Sequence, residues 1–140
     1  MAQSMAHTVE GAFSGEHAQP GYQAYQLLRF VFTVAPIIAG ADKFFRVLTN
    51  WDQYLAPWLV NLSPISGHNL MLLVGVVEIS AGVLTAIKPK IFAYVVAAWL
   101  CLIIINLLSM GAFFDVALRD FGLAVAAVAL GRLAVTYGKP

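Results

Sequence analysis

Charge is scarce in this chain: its 140 residues carry eight Lys or Arg and seven Asp or Glu. That is too little polar surface for a soluble domain of this length. The few basic residues form no patch and the formal net charge is only +1, which argues against a nucleic-acid partner. Cysteine is nearly absent too. The lone Cys101 excludes an internal disulfide and any CxxC redox pair, and in the middle of an apolar run it reads as a small core residue. There is no HExxH, no glycine-rich phosphate loop and no nucleophile triad. A b-type haem would want a second axial histidine beside His68, and none lies at membrane depth. His7 and His17 are ten residues apart in a glycine-containing segment and make a poor metal site, so no metal is expected.

What the chain has instead is apolar length. Hydrophobic residues make up 61% of it and the mean hydropathy is +0.82. The expectation is an all-α integral membrane protein, a four-helix antiparallel bundle with an interfacial helical segment between helices 1 and 2. Residues 1–21 read as a flexible, Gly- and Pro-containing tail. Ala39-Gly40-Ala41 resembles a signal-peptidase site, but the tail ahead of it is long and the apolar run continues past it, so a retained helix is expected. The spans fall at about 22–47, 68–87, 91–109 and 113–136, with a short tail over 137–140. Pro36 interrupts the first span by removing a backbone donor. Between the first two spans, Trp51, Tyr54, Leu55, Trp58, Leu59 and Leu62 recur at helical spacing, with Pro57 breaking the run into two short turns. Trp and Tyr favour the bilayer interface, which is where this segment is expected to lie. Ser63 to Gly67 is a breaker cluster, and Lys88-Pro89-Lys90 a basic turn.

The few charges sit where an apolar helix least tolerates them. From Phe121 to Gly131 the fourth span is uncharged, which covers roughly 16 Å, about half of a bilayer's hydrocarbon core. Arg119-Asp120 or Arg132 must then lie inside the apolar zone. Asp42-Lys43 ends the first span in the mirror arrangement, so helices running in opposite directions bring the two pairs to one depth. Ionisable residues at that depth pair and face the bundle interior. Adding His68, Asn106 and Glu78 gives a polar cluster near one face. There Arg119, His68 and Asn106 are candidate donors to a neutral carbonyl, and Glu78, with Arg119 as its partner, is the candidate for proton exchange. The competing expectation is a set of interhelical ion pairs that hold the helices in register.

The fourth span also carries the small-xxx-small pairs Gly122/Ala126 and Ala127/Gly131. They suit internal packing or a contact with another copy or subunit, and Trp51 and Trp58 are further interface candidates. One side of the membrane would hold Arg29, Lys88, Lys90, Arg132 and Lys139, the other Lys43, Arg46 and Arg119. The positive-inside rule then puts both termini in the cytoplasm of a cell (inner) membrane protein.

With these residues in view, the chain resembles the DoxX-like group of small four-helix membrane proteins. The likeness rests on Gly40-Ala41-Asp42-Lys43-Phe44-Phe45, on Gly75-x-x-Glu78-x-x-x-Gly82 and on Arg119-Asp120-x-Gly122-Leu123, across about residues 25 to 134. Residues 43–64 are also similar to YkgB-type proteins. Where several relatives carry a His in the third helix, this chain offers Asn106. The resemblance implies an accessory or structural subunit of a quinone-linked electron-transfer complex, not catalytic on its own. A quinone or a lipid would be its ligand, and membrane lipids, other membrane subunits or a second copy its partners. The alternatives are a stand-alone membrane enzyme or small-molecule transporter with a polar intramembrane site, and a purely structural docking subunit.

Overall fold

The computed structural model describes residues 19–138, and all regular structure in them is helical. The tail expected over 1–21, with His7 and His17, lies almost wholly outside the described residues, as do Lys139 and Pro140. Four long helices carry the chain: α1 (Pro20–Phe45), α3 (Gly67–Ile87), α4 (Pro89–Met110) and α5 (Phe114–Tyr137). A 3₁₀ turn (Trp51–Tyr54) and the short helix α2 (Pro57–Leu62) stand between α1 and α3, separated just ahead of Pro57. Among the described residues α1, α3 and α4 are long and apolar enough to cross a membrane, with mean hydropathies of 1.4, 2.3 and 2.6. Helix α5 is of similar length but carries Asp115, Arg119, Asp120 and Arg132.

Local chemistry sets the boundaries. Proline occupies the first turn of α1, α2 and α4, where its missing N–H breaks no helical bond. Ser66 caps α3 by accepting the Asn69 N–H. A single residue, Lys88, ends α3 and begins α4. Gly111, at φ 68°, stops α4 in the left-handed conformation that glycine adopts without a Cβ clash. Arg46 ends α1 in the same conformation, at φ 57°, and has no such freedom. The compensation is Asp42, whose carboxylate accepts the Val47 and Leu48 N–H groups at 2.9 and 3.0 Å. Those are backbone donors just past the helix end, so Asp42 fixes the direction in which the chain leaves α1.

Packing is tightest within two helix pairs, α1 with α3 and α4 with α5. Along the first pair the backbones touch. A Cβ on Gly40 would lie 2.5 Å from the Gly75 carbonyl oxygen, and one on Gly82 would lie 2.6 Å from that of Thr33. In the second pair the Tyr94 ring lies against Gly131, with a Cβ there only 2.6 Å from Cζ. The buried core, including Tyr25, Phe32, Val96, Ala127 and Leu130, joins the two pairs. Tyr22 and Tyr25 near the start of α1 meet Tyr137 at the end of α5, with centroids 5.8 and 6.1 Å apart. Arg29 closes the same end by donating from Nε and Nη2 to the Ala86 carbonyl in the last turn of α3. The outer surface stays apolar, with Leu27, Phe30, Leu102, Ile105, Leu118 and Phe121 all more than half exposed.

Candidate functional site

Away from the tyrosine end the two pairs part, and a cavity of about 600 Å³ opens between them. Its walls are the second half of α1, the first half of α3, the second half of α4 and the first turns of α5. Most of the lining is apolar, but Lys43, Glu78, Asn106, Arg119 and Asp120 also reach it. The 3₁₀ turn and α2 close it over with Trp51, Tyr54, Leu55, Trp58 and Leu59.

Lys43 and Glu78 form the charge pair across the α1–α3 seam. Lys43 Nζ donates to Glu78 Oε2 at 2.6 Å, with side chains only 3% and 12% exposed. The partner of Glu78 is therefore Lys43, and not Arg119 as the sequence suggested. The α1–α3 seam explains the switch. Gly75 and Glu78 are one turn apart on the same face of α3, and the missing side chain at Gly75 is where the Lys43 Cβ fits, 3.2 Å from a hypothetical Gly75 Cβ. Lys43 Nζ also lies 3.9 Å from the centre of the Trp51 ring and within 3.5 Å of the Ala39 carbonyl. A desolvated ammonium gains from an aromatic face as well as from its carboxylate. Asp42, next in sequence, does not pair with Lys43. It accepts the Trp51 indole N–H at 2.9 Å and so holds that ring over the ammonium.

Arg119 bonds to its own neighbour, donating from Nε and Nη2 to Asp120 Oδ1 at 3.2 and 3.1 Å. The two are unequally placed: the Asp120 side chain is 4% exposed and that of Arg119 is 63% exposed. Arg119 thus marks the cavity's rim and Asp120 its wall. Both charge pairs are neutralised internally, so the cavity carries no net charge.

The other candidates have different jobs. Asn106 accepts the Ala56 N–H at 3.0 Å and donates to the Tyr54 carbonyl at 2.6 Å, so both ends of its amide tie the covering segment to α4. Trp58 adds a second tie, from Nε1 to Ser109 Oγ at 2.7 Å. His68 is exposed and stays outside the cavity lining, meeting Asp52 and Arg46 in a cluster on the rim. Of the small-residue candidates, Ala127 and Gly131 are consumed inside the chain, whereas Gly122 is exposed, with nothing within 4 Å of a Cβ there, and Ala126 is half-buried. Trp51 and Trp58 likewise make contacts within the chain.

Trp99 is not among the candidates the sequence offered. It lines the cavity, and its indole nitrogen is buried without a hydrogen-bond partner, alone in that respect among the described residues. The available signal was an aromatic donor in an otherwise uncharged span. Among the described residues no group of His, Cys, Asp and Glu could hold a metal ion. No family model, curated protein or solved structure matches this chain.

Proposed function

We propose that this chain is a multi-pass protein of the cell (inner) membrane that holds a lipophilic ligand in the cavity between its two helix pairs. All four long helices cross the bilayer as an antiparallel bundle. Residues 51–62 lie at the interface as a cover, and both termini face the cytoplasm. The observation that carries the reading is the cavity. At about 600 Å³ it falls within the range of small-molecule sites, which are mostly apolar with a few convergent polar groups. It is bounded by helices whose outer surfaces suit lipid, and its charges cancel in pairs. A quinone or another amphiphile with an uncharged head meets those conditions. The biological setting that fits is a ligand-holding accessory subunit of a quinone-linked electron-transfer complex, consistent with the resemblance to DoxX-like proteins.

The test is purification from native membranes in mild detergent, followed by mass spectrometry of what stays bound. A lipophilic small molecule retained at close to one per chain supports the proposal, and redox subunits at fixed stoichiometry support its setting. Partner subunits with no small molecule would overturn it in favour of a docking subunit, whose contact would be the exposed α5 face of Leu118, Phe121, Gly122 and Val125. A retained molecule without partners would point to a self-contained enzyme or transporter built on the same cavity.

A further inference from the structure

A ligand head must match whatever hydrogen-bonding capacity the protein leaves open, so the polar groups of the cavity repay a strict account. The donors expected to receive a carbonyl are mostly turned elsewhere. Asn106 donates an N–H to the Tyr54 carbonyl and accepts the Ala56 N–H on its oxygen. Arg119 turns Nε and Nη2 to Asp120 from an exposed position on the rim. Lys43 is enclosed by Glu78, the Ala39 carbonyl and the Trp51 ring. His68 is outside the lining.

What remains open is the buried indole N–H of Trp99 on α4 and two acceptors, the second carboxylate oxygens of Asp120 and Glu78; of the two acids Glu78 is the more accessible, with 12% of its side chain exposed against 4%. Glu78 accepts the Lys43 N–H on Oε2, and no donor among the described residues meets Oε1. Its side chain keeps 12% exposure, and it lines the cavity. A carboxylate has about four lone-pair sites and accepts only. The open oxygen therefore calls for an O–H. It does not call for a cation, because the Lys43 ammonium 2.6 Å from Oε2 would repel one. It repels an anion outright.

We infer that the ligand's head is an uncharged hydroxyl compound, a phenol or a hydroquinone rather than a quinone, and that it donates its O–H to Glu78. The inference rests on the proposed function, since it presupposes that the cavity holds a lipophilic ligand. In a quinone-linked setting it means that the reduced carrier is retained and the oxidised one is released. The same hydroxyl oxygen keeps its acceptor sites for a donor such as the Trp99 indole N–H, whereas a quinone carbonyl could take that donor but would leave the open Glu78 oxygen unmatched.

The experiment compares 4-decylphenol with 4-decylanisole. These have nearly the same shape and differ in whether the oxygen can donate. Binding is measured by equilibrium dialysis against the full chain in lipid nanodiscs, with protein-free nanodiscs correcting for partition. A hydrogen bond to a charged group predicts that the phenol binds about tenfold tighter or more. The double variant Lys43→Met/Glu78→Gln, which removes both charges together, is expected to reduce that preference to about threefold or less. Equal binding of the two probes overturns the inference and leaves the lipophilic cavity standing. A preference that survives the double variant overturns the role of Glu78. Binding of neither probe overturns the proposed function and the inference with it. Should the double variant fail to fold, infrared difference spectra of the wild type decide. Adding 4-decylphenol must shift a carboxylate band that 4-decylanisole leaves unmoved, and an unmoved band overturns the inference.

Discussion

Replacing glycine by alanine adds one methyl group, and the four long helices offer positions where that change should have opposite effects. At Gly75 a Cβ would lie 2.7 Å from the Gly40 carbonyl oxygen and 3.2 Å from both the Lys43 Cβ and the Phe44 ring. Non-bonded carbon contacts settle near 3.5–4.0 Å, so α1 and α3 would have to part by about 1 Å. Backbone cannot swing aside as a flexible side chain can, and overpacking of this kind costs about 1–3 kcal/mol. Helix propensity offsets about 0.8–1 kcal/mol of it. Gly75→Ala is therefore expected to destabilise by up to about 2 kcal/mol, and to stretch the Lys43–Glu78 contact that the seam brings together. Gly122→Ala meets nothing within 4 Å, so only the propensity term survives, and it should stabilise by up to about 1 kcal/mol. Thermal melts of both variants in the same bicelles, read by circular dichroism, test the pair. A Gly75→Ala melt clearly above the wild type, or a Gly122→Ala melt clearly below it, would refute the contact geometry of the α1–α3 seam.

Two further perturbations probe the polar groups. Lys43→Met strands the Glu78 carboxylate in a nearly closed site and should cost about 3–5 kcal/mol, whereas Lys43→Met/Glu78→Gln should return to within about 1 kcal/mol of the wild type. Unfolding titrations of both variants would show equal losses if the two residues were not a pair. Asn106→Ala removes its own two bonds to the covering segment and leaves the Trp58–Ser109 tie. It should raise amide hydrogen exchange across residues 54–62 by about tenfold, with the α1–α3 amides unchanged. Uniformly faster exchange would mean that Asn106 supports the whole fold, and unchanged exchange that it does not hold the cover.

Position along the helix axes was legible in the sequence; facing was not. Long apolar runs, Pro at the helix starts and the Lys88-Pro89-Lys90 turn mark an all-α chain with membrane-length helices, because each signal acts within a few residues of itself. Axial position also brought Lys43, Glu78, Arg119 and Asp120 toward one region, since counting residues at 1.5 Å each needs no tertiary knowledge. Which of them touch depends on how each helix is rotated about its axis, and a step of one residue turns a side chain by about 100°. Arg119 and Asp120 are neighbours in sequence, yet one faces out and the other in. Lys43 found Glu78 because Gly75 cleared a path for it, and that requirement is written in the chain as Gly75, Glu78 and Gly82 at spacings of three and four. The eight Ala and Gly residues of α5 carry no such direction: they lie all round the helix, so the sequence could not say that Ala127 and Gly131 turn inward while Gly122 turns out. A glycine pair with a charge between them on one face is thus the more informative pattern. It names the contact surface and the polar group buried there, and in this protein that group is the one with an oxygen left open to the cavity.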